Sequence, residues 1–526
     1  MTKPHLEPSA HAATLALALL LSAAGPSGCS LSNVGRDACE ADTECAAAFG
    51  VGSKCDDGYC TDPGACTTGH DCRMEYGGGA CVEGACQQLA PPNAACDIVE
   101  PADLLSKPLA GPGAPLVIGA IFARDDAKNR ATADAVRLAV REINDSTGVA
   151  SGQSLGLVVC DNGGPNNAAA GDERAALDND ALDYLAGTLG VPFLVGPRTS
   201  FDALKIAARL VEKKYPTVVI SPSATSPELS GVPSRIDESD PFPLFWRTCP
   251  SDALQGKVLA EDVIGADAAI SVTSVVYTNE AYGQGLSQVF QKSFKPGVEG
   301  ATRLAPFDAS KLDDAGYADG IAATVAGHAS QAILVVAVSA DHTIKLLGAL
   351  NAAGLGASKL FFTDGSKDAT KLLSADVPAE VKALIAGARG TAPASARDPA
   401  TYDLFSASLL AEFPEADPSK ISFLAHAYDA AYLGALGVVF ASADAKPYDG
   451  RGVAEGLSKL SAGESFDLGG LTWPAAKQTL GTADQIDVRG ISGELDLDPA
   501  SGEGPAPIEV WRVNDAGTGF TTEGTF

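Results

Sequence analysis

The sequence has few of the residues and motifs that carry catalysis. Only 6 histidines occur among its 526 residues, and they are scattered along the chain. It has no HExxH zinc-protease motif and no GxxxxGK phosphate loop, and no G-x-S-x-G nucleophile elbow is predicted. We therefore expect the protein not to be an enzyme, and we expect no catalytic residue, cofactor or metal.

Positive charge is also scarce. The chain carries 37 Lys and Arg residues against 66 Asp and Glu residues, which gives a formal net charge of −29. Nucleic-acid binding needs clustered Lys and Arg, so a nucleic-acid partner is not expected. The acidic residues are dispersed rather than gathered in runs, which is typical of a solvated surface.

Long apolar runs are missing beyond the N-terminus. The best later candidate, 425–441, is interrupted by Tyr, Asp and Gly. It does not reach the roughly eighteen apolar residues of a membrane span. We therefore expect no membrane-spanning helix in the body of the protein.

The N-terminus is predicted to be a targeting segment. A nearly all-apolar stretch, Ala12–Gly25, is too short to cross a bilayer comfortably, and small residues follow it up to a cysteine. We predict a signal peptide over 1–28, lipidation at Cys29, and a lipid-anchored tether over 29–38. A plain secretory signal is the alternative. The protein would then lie in the cell envelope, facing the periplasm or the surface, and touch the membrane only through its lipid.

Eight of the 12 cysteines form two copies of one spacing pattern. They are Cys39, Cys45, Cys55 and Cys60, followed by Cys66, Cys72, Cys81 and Cys86. Each copy is too small to bury a core, so disulfides formed in an oxidising compartment would hold it together. Structural zinc is the alternative, but the spacings differ from the paired C-x2-4-C knuckles of zinc sites. We predict a disulfide-rich spacer or protein-contact module over 39–90, with its connectivity open.

A segment rich in Pro, Ala and Gly, 91–113, is predicted to be a linker. It contains Cys96, which lies outside the repeats together with Cys160 and Cys249. If Cys29 is lipidated, these three form an odd set, so at least one is free or paired outside the chain.

After residue 113, short β-branched strands alternate with amphipathic helices. Pro115–Phe122 and Thr217–Ile220 have the apolar character of buried strands, and Val136, Val140 and Ile143 mark one face of a helix. This alternation predicts an α/β fold with doubly wound parallel sheets. The number of strands favours two lobes over one sheet.

Small polar residues follow two of the predicted strands. One strand ends at Gly196-Pro197, and Ser200 stands where a helix N-cap is expected. Another ends at Ser221-Pro222 and is followed by Ser223 and Thr225. Open α/β sheets bind ligands at the carboxyl ends of their strands, and a helix N-terminus attracts a carboxylate. The pattern predicts a site for a small anionic or zwitterionic molecule.

The same segments carry a family resemblance. Gly196-Pro197-x-x-Ser200, followed by Ile220–Leu229, resembles the extracytoplasmic solute-binding proteins of the branched-chain amino-acid type. That family also includes the ligand-binding domains of amino-acid receptors. Three further segments occur in the expected order: Arg247–Gly256, Tyr277–Gly285 and Phe362–Gly365. The resemblance covers roughly residues 114–526.

This resemblance implies the type I periplasmic-binding-protein fold. Two doubly wound parallel-sheet lobes would be joined by three hinge crossings and would close on a ligand. The implied lobes are 114–249 with 388–487, and 250–387 with 488–526. Crossings would lie near Cys249 and near Gly387–Thr391, and tail strands Ser492–Asp498 and Ile508–Val513 would return to the second lobe.

The resemblance also implies which residues bind the ligand. Ser200 would hold its carboxylate, Ser223 and Thr225 would contact its ammonium group, and Tyr282 and Asp364 would reach it from the second lobe. Such a set offers a zwitterion donors at one end and acceptors at the other. Each residue also has a structural alternative, namely helix capping, turn formation or packing.

Two segments depart from the family pattern. The loop Phe122–Asp126 lacks the usual small Ser-Gly turn and places Arg124 near the predicted cleft mouth. Ser339-Ala340-Asp341 stands where amino-acid binders often have an aromatic residue. We therefore expect a pocket more polar or wider than one for leucine.

The function we expect is capture of an amino acid or similar small zwitterion for an ABC importer, whose permease would be the partner. The alternative is an envelope or surface interaction or sensor protein that uses the same fold without transport.

Overall fold

The structure, a computed structural model, describes residues 37–164, 169–394, 398–443 and 447–526. The predicted signal peptide, Cys29 and most of the predicted tether lie outside these residues. The described chain forms an N-terminal module followed by two α/β lobes, each built on its own sheet.

Two small units of one kind make up the module. Each is a short helix followed by a two-stranded antiparallel hairpin. The elements are α1 (Asp42–Phe49), β1 (Cys55–Asp56), β2 (Tyr59–Cys60), α2 (Gly69–Tyr76), β3 (Ala80–Val82) and β4 (Ala85–Gln87).

Disulfides hold both units, as the sequence predicts. In each repeat the first cysteine bonds the third and the second bonds the fourth. The pairs are Cys39–Cys55, Cys45–Cys60, Cys66–Cys81 and Cys72–Cys86. The connectivity that the spacing left open is therefore the same in the two repeats.

The second repeat packs against the first lobe. His70 Nε2 lies 2.9 Å from Thr217 Oγ1 in a buried contact. Gly69 approaches Gly190 so closely that an added Cβ would meet the Gly190 nitrogen at 2.5 Å. Burial, and then the neighbouring Arg73, lower the pKa of His70 well below its ordinary value, so the ring stays neutral at this contact.

The first lobe begins with a six-stranded sheet in the order β10-β9-β8-β6-β7-β5. All neighbouring pairs are parallel except β5 with β7. The elements are β5 (Ile98–Glu100), β6 (Leu116–Ile121), α3 (Ala127–Ser146), β7 (Leu155–Cys160), α4 (Gly171–Leu182), β8 (Phe193–Val195), α5 (Ser200–Lys213), β9 (Val218–Ser221) and β10 (Phe245–Arg247).

The second lobe has a seven-stranded sheet in the order β12-β11-β13-β14-β15-β18-β19, with its last two strands antiparallel. Its first elements are α6 (Asp252–Ala266), β11 (Thr273–Thr278), α7 (Ala281–Ser293), β12 (Thr302–Phe307), α8 (Tyr317–Gly327), β13 (Ala332–Val336), α9 (Ala340–Ala352), β14 (Lys359–Phe362), α10 (Ala369–Leu372), α11 (Ala379–Ile385) and β15 (Arg389–Pro393).

The chain then returns to the first lobe and finishes in the second. The returning elements are α12 (Pro399–Glu412), α13 (Leu424–Ala441), α14 (Gly450–Leu457), β16 (Ser465–Asp467), α15 (Trp473–Ala483) and β17 (Asp487–Arg489). The last strands, β18 (Ile508–Val513) and β19 (Phe520–Thr525), extend the second sheet. The predicted fold class, two doubly wound lobes preceded by a disulfide-rich module, is confirmed.

Helix α13 is the most apolar helix of the first lobe. By length and composition it could cross a membrane, yet 89% of it is buried inside the protein. It packs against α3, α14 and strand β8, so its apolar residues form the centre of the first core.

The segment 91–113, predicted to be a linker, is fixed to the first lobe at several points. Strand β5 joins the edge of the first sheet, and Leu104 and Leu109 are buried in the core of that lobe. Cys96 forms a disulfide with Cys160, whereas Cys249 is the free cysteine among the described residues and is buried. The Pro and Gly content concealed a short edge strand whose pairing is set by the distant β7.

The chain crosses between the lobes three times. The first crossing lies between β10 and α6, around Cys249, as expected. The second was predicted near Gly387–Thr391; β15 pairs with β14 and β18, so the chain leaves the second sheet slightly later, after Pro393. The third spans 490–507, where the predicted tail strand Ser492–Asp498 is absent and isolated bridges occur instead.

Candidate ligand-binding cleft

Both sheets reverse their strand order at the same relative place. The first parallel strand along the chain lies between the second and the third: β6 lies between β7 and β8, and β11 between β12 and β13. Ligands bind α/β sheets at such reversal points, beyond the carboxyl ends of the strands. The segments that leave β6, β8 and β11 carry several of the residues described below.

Ser200 lies where the two lobes touch. Thr199, and not Ser200 as predicted, caps α5, because its Oγ1 accepts a hydrogen bond from Asp202 N at 3.2 Å. Ser200 is the first helical residue; its buried Oγ accepts from Ser226 N at 3.1 Å. Ser226 Oγ in turn donates to the carbonyl of Ala281, 3.0 Å away in the second lobe.

Ser223 and Thr225 are both committed to hydrogen bonds within the protein. Ser223 Oγ donates to the Arg198 carbonyl at 2.9 Å. Thr225 Oγ1 donates to Asp252 Oδ2 at 3.0 Å, on the first turn of α6. Burial, reinforced by the nearby Asp364 carboxylate, raises the pKa of Asp252 well above its ordinary value.

Tyr282 and Asp364, both predicted to reach the ligand from the second lobe, are in direct contact. The Tyr282 hydroxyl donates to Asp364 Oδ1 at 2.8 Å and lies 2.7 Å from Thr363 Oγ1. Gln255 Nε2 donates to the same Asp364 oxygen at 2.8 Å and to the Thr391 carbonyl at 3.2 Å. Burial, and then the charges of Asp364 and Asp252, raise the pKa of Tyr282, so the phenol keeps its proton.

These side chains form one buried group, which we call the polar network. Its members share hydrogen bonds or close electrostatic contact across the lobe boundary and are Thr225, Asp252, Gln255, Tyr282 and Asp364. Two of its oxygens, Asp252 Oδ1 and Gln255 Oε1, are buried without a hydrogen-bond partner among the described residues. The network can therefore still accept hydrogen bonds from a cationic or donor group.

Arg247 fixes the loop that carries Ser223 and Thr225. Its side chain is fully buried and donates to the carbonyls of Ala224 and Ser226, at 3.1 and 3.0 Å. Its Nε also donates to Glu503 at 2.7 Å, on the third crossing. One guanidinium thus joins the strand end to the hinge, a planar multidentate role that Lys could not fill.

A second group, the basic corner, consists of Lys128, Arg198 and Phe423. Lys128 lies in the first turn of α3 and is only 6% exposed. Its Nζ is 5.8 Å from the centre of the Phe423 ring. Burial, and then the charge of Arg198, lower the pKa of Lys128 to about 8, against the opposing effect of Asp368 and Asp364.

The two lobes are also in close contact at Gly285. An added Cβ at Gly285 on α7 would meet Pro227 Cδ at 2.7 Å and Ser226 Oγ at 3.0 Å. Glycine at this position therefore allows the second lobe to approach the loop that carries Thr225.

The structure shows the surroundings of the two segments that depart from the family pattern. Arg124, predicted to lie near the cleft mouth, forms an ion pair. Its guanidinium lies 2.7 Å from the carboxylate of Asp97, next to β5. Ser339 caps α9 by accepting from His342 N. An aromatic ring reaches the basic corner from a different segment, through Phe423.

The residues Gly152–Gly156 have the G-x-S-x-G spacing, although no nucleophile elbow was predicted from the sequence. Ser154 immediately precedes β7, whereas a nucleophile elbow follows a strand and opens a helix. The pattern therefore does not form an elbow.

Three residues at the cleft escaped the sequence analysis. Asp252 and Gln255 stand within the segment Arg247–Gly256 that carried the resemblance, and their spacing on one helix face was the available signal. Lys128 gave no signal, because a lysine in the first turn of a helix is usually solvated.

The chain matches the family described as "Receptor family ligand binding region" over residues 131–516. No curated protein sequence matches it significantly.

Solved structures of similar fold include three solute-binding proteins. The branched-chain amino-acid protein LivJ from Streptococcus pneumoniae, in complex with isoleucine, is 20% identical with a TM-score of 0.54, covering 78% of this chain and 98% of LivJ. The leucine-binding protein LivK from Thermotoga maritima is 17% identical with a TM-score of 0.58, covering 78% and 98%. A solute-binding protein from R. palustris, in complex with benzoate, is 16% identical with a TM-score of 0.57, covering 78% and 96%.

At these identities the structural neighbours establish the two-lobed fold, whereas the family match spans most of the chain and includes the polar network. The chain belongs to the receptor family ligand binding region family.

Proposed function

We propose that the protein is an extracytoplasmic solute-binding lipoprotein that captures an amino acid or a similar small zwitterion between its lobes and delivers it to an ABC importer. The observation that carries this proposal is the polar network. It joins both lobes through Tyr282, Asp364, Gln255, Asp252 and Thr225 in one buried cluster.

The network supplies what a zwitterion needs. The Asp364 carboxylate and the unpartnered oxygens of Asp252 and Gln255 suit an ammonium group. Ser200 and the first N–H groups of α5 suit a carboxylate, because a helix N-terminus favours negative charge. Because these groups come from different lobes, a ligand that contacts both would favour the closed form.

Transport and an extracytoplasmic location have their own support. The neighbours LivJ and LivK are a branched-chain amino-acid transporter substrate-binding protein and a leucine-binding protein, and the disulfides of the module fit an oxidising compartment. These observations support an extracytoplasmic location and an importer partner.

A thermal-shift panel on the full-length chain, purified without added ligand, tests the proposal. The panel contains the amino acids, small peptides and organic acids. A ligand that binds only the folded form stabilises it by about 2.7 kcal/mol at a hundredfold excess over its dissociation constant. We expect at least one hit that is lost in both Ser200→Ala and Asp364→Ala.

Two matched substitutions control for general damage. Ser287→Ala on α7 and Asp314→Asn on the surface of the second lobe should keep the hit. If a well-folded protein gives no hit across the panel, the proposal of solute capture is wrong. The alternative, an interaction protein that binds its partner through the disulfide-rich module, is then favoured.

A further inference from the structure

Lys128 is a buried amine that contacts the Phe423 ring but has no hydrogen-bond acceptor among the described residues. Its Nζ makes no hydrogen bond and no ion pair within the described residues, and the side chain is more than nine-tenths buried. Burial of an ammonium group without a hydrogen-bond acceptor is costly, so its presence in a folded protein calls for an explanation.

The position of this amine points to a ligand rather than to packing. Lys128 follows β6 and Arg198 follows β8, and these neighbouring strands flank the reversal point of the first sheet. Arg198 Nε is likewise buried without a hydrogen-bond partner in the described part of the chain. Two cationic side chains, each with a buried nitrogen that has no hydrogen-bond partner among the described residues, therefore lie near the place where a doubly wound sheet binds its ligand.

The basic corner lies within electrostatic range of the proposed zwitterion site. Asp364, a member of the polar network, and Asp368 from the second lobe both act on the Lys128 amine, as does Asp126 from its own helix cap. None of these carboxylates approaches close enough to form an ion pair with it among the described residues. The amine therefore keeps its hydrogen-bond donors unused among the described residues.

We propose that Lys128, with Arg198 beside it, binds an anionic group on the ligand side chain, so that the preferred ligands are amino acids or small organic acids with a second carboxylate. This inference rests on the proposed function and specifies its substrate class. A singly charged carboxylate fits better than a phosphate, because Asp364 and Asp368 would repel the larger charge.

Isothermal titration calorimetry on the full-length protein tests the inference with isosteric pairs. The probes are L-glutamate against L-glutamine, L-aspartate against L-asparagine, and L-leucine. The variants are Lys128→Met and Lys128→Gln, with Lys205→Met, an exposed lysine on α5, as the charge-matched control.

We expect the wild type to prefer one of the acids over its amide by about tenfold or more, the usual effect of a hydrogen bond to a charged group. Both Lys128 variants should lose this preference and still bind the amide, whereas Lys205→Met should keep it. Affinity for the acid, but not for the amide, should fall as the pH rises past about 8, because the amine then loses its proton.

The outcomes separate the two proposals. If neutral amino acids bind as tightly as the acids and Ser200→Ala abolishes that binding, the proposed function stands and the acidic substrate class is wrong. If the acid preference survives in Lys128→Met, Lys128 is not its cause and the inference fails. If the folded protein binds no probe, both proposals are overturned.

Discussion

The two ends of the cleft are built in opposite ways. In the polar network and the loop beside it, most side chains are held by other side chains or by backbone, as when Arg247 bonds two carbonyls and Glu503. In the basic corner, Lys128 and Arg198 keep buried nitrogen atoms without partners. Substitutions in the polar network or its loop should therefore lower the stability of the protein. A substitution of Lys128 in the basic corner should raise stability and weaken ligand binding.

The largest change is expected at Arg247. Arg247→Met removes the buried guanidinium that pairs with Glu503 and donates to two carbonyls, and the loss of one partner of a buried ion pair costs about 3–5 kcal/mol. Urea unfolding should show this loss. Arg235→Met, which removes an exposed arginine near the same loop, should cost about 0.5 kcal/mol or less. Equal stability of the two variants would show that the loop does not depend on Arg247.

Tyr282→Phe should have the next largest effect. The variant removes the hydroxyl that donates to the Asp364 carboxylate and lies beside Thr363, and the loss of a hydrogen bond to a carboxylate costs about 1.5–3 kcal/mol. The free energy of unfolding should fall by this amount. The control Tyr277→Phe, at a half-buried residue of β11, should change it little. A Tyr282→Phe protein as stable as the wild type would mean that the contact carries no net energy.

Lys128→Met should act in the opposite direction. Removal of an unpartnered buried amine should raise the free energy of unfolding at pH 7 by about 1–2 kcal/mol. The gain should shrink between pH 8 and about 10.4, the ordinary lysine pKa. In that window the unfolded wild-type chain keeps a proton that the folded chain releases, so wild-type stability rises with pH. Unfolding curves at pH 7 and pH 10 measure both effects, and a destabilised variant at pH 7 would contradict the contrast between the two ends.

Ser223→Ala should have the smallest effect. Its hydroxyl makes one hydrogen bond to the Arg198 carbonyl, and a typical bond of this kind contributes about 1 kcal/mol. Thermal unfolding should show a decrease of this size or less. A much larger loss would indicate that Ser223 also holds Arg198 in the basic corner.

Much of the fold could be predicted because its signals are local. The β-branched run at Val218–Ser221 and the small residues after it mark a buried parallel strand and its ligand-binding end. The family resemblance put the lobe boundary at residue 388, so β15 was assigned to the first lobe, whereas the structure places it in the second sheet. Its place is set by pairing with β14 and β18, which local sequence does not encode.

The residues of the candidate site also differ in whether local sequence could predict them. Tyr282 and Asp364 could be named from motifs, and the structure brings them into contact. The burial of Lys128 depends on Phe423, almost three hundred residues away, and on the approach of the second lobe. No pattern within α3 distinguishes such a lysine from a solvated one.

The docked second repeat has a mechanical consequence. His70 bonds Thr217, Gly69 abuts Gly190, and the Cys96–Cys160 disulfide ties the following segment to the first sheet. We therefore expect the module and the first lobe to move as one rigid body. If the N-terminus is held at a surface, the first lobe keeps a fixed orientation to that surface, and each opening of the cleft swings the second lobe alone.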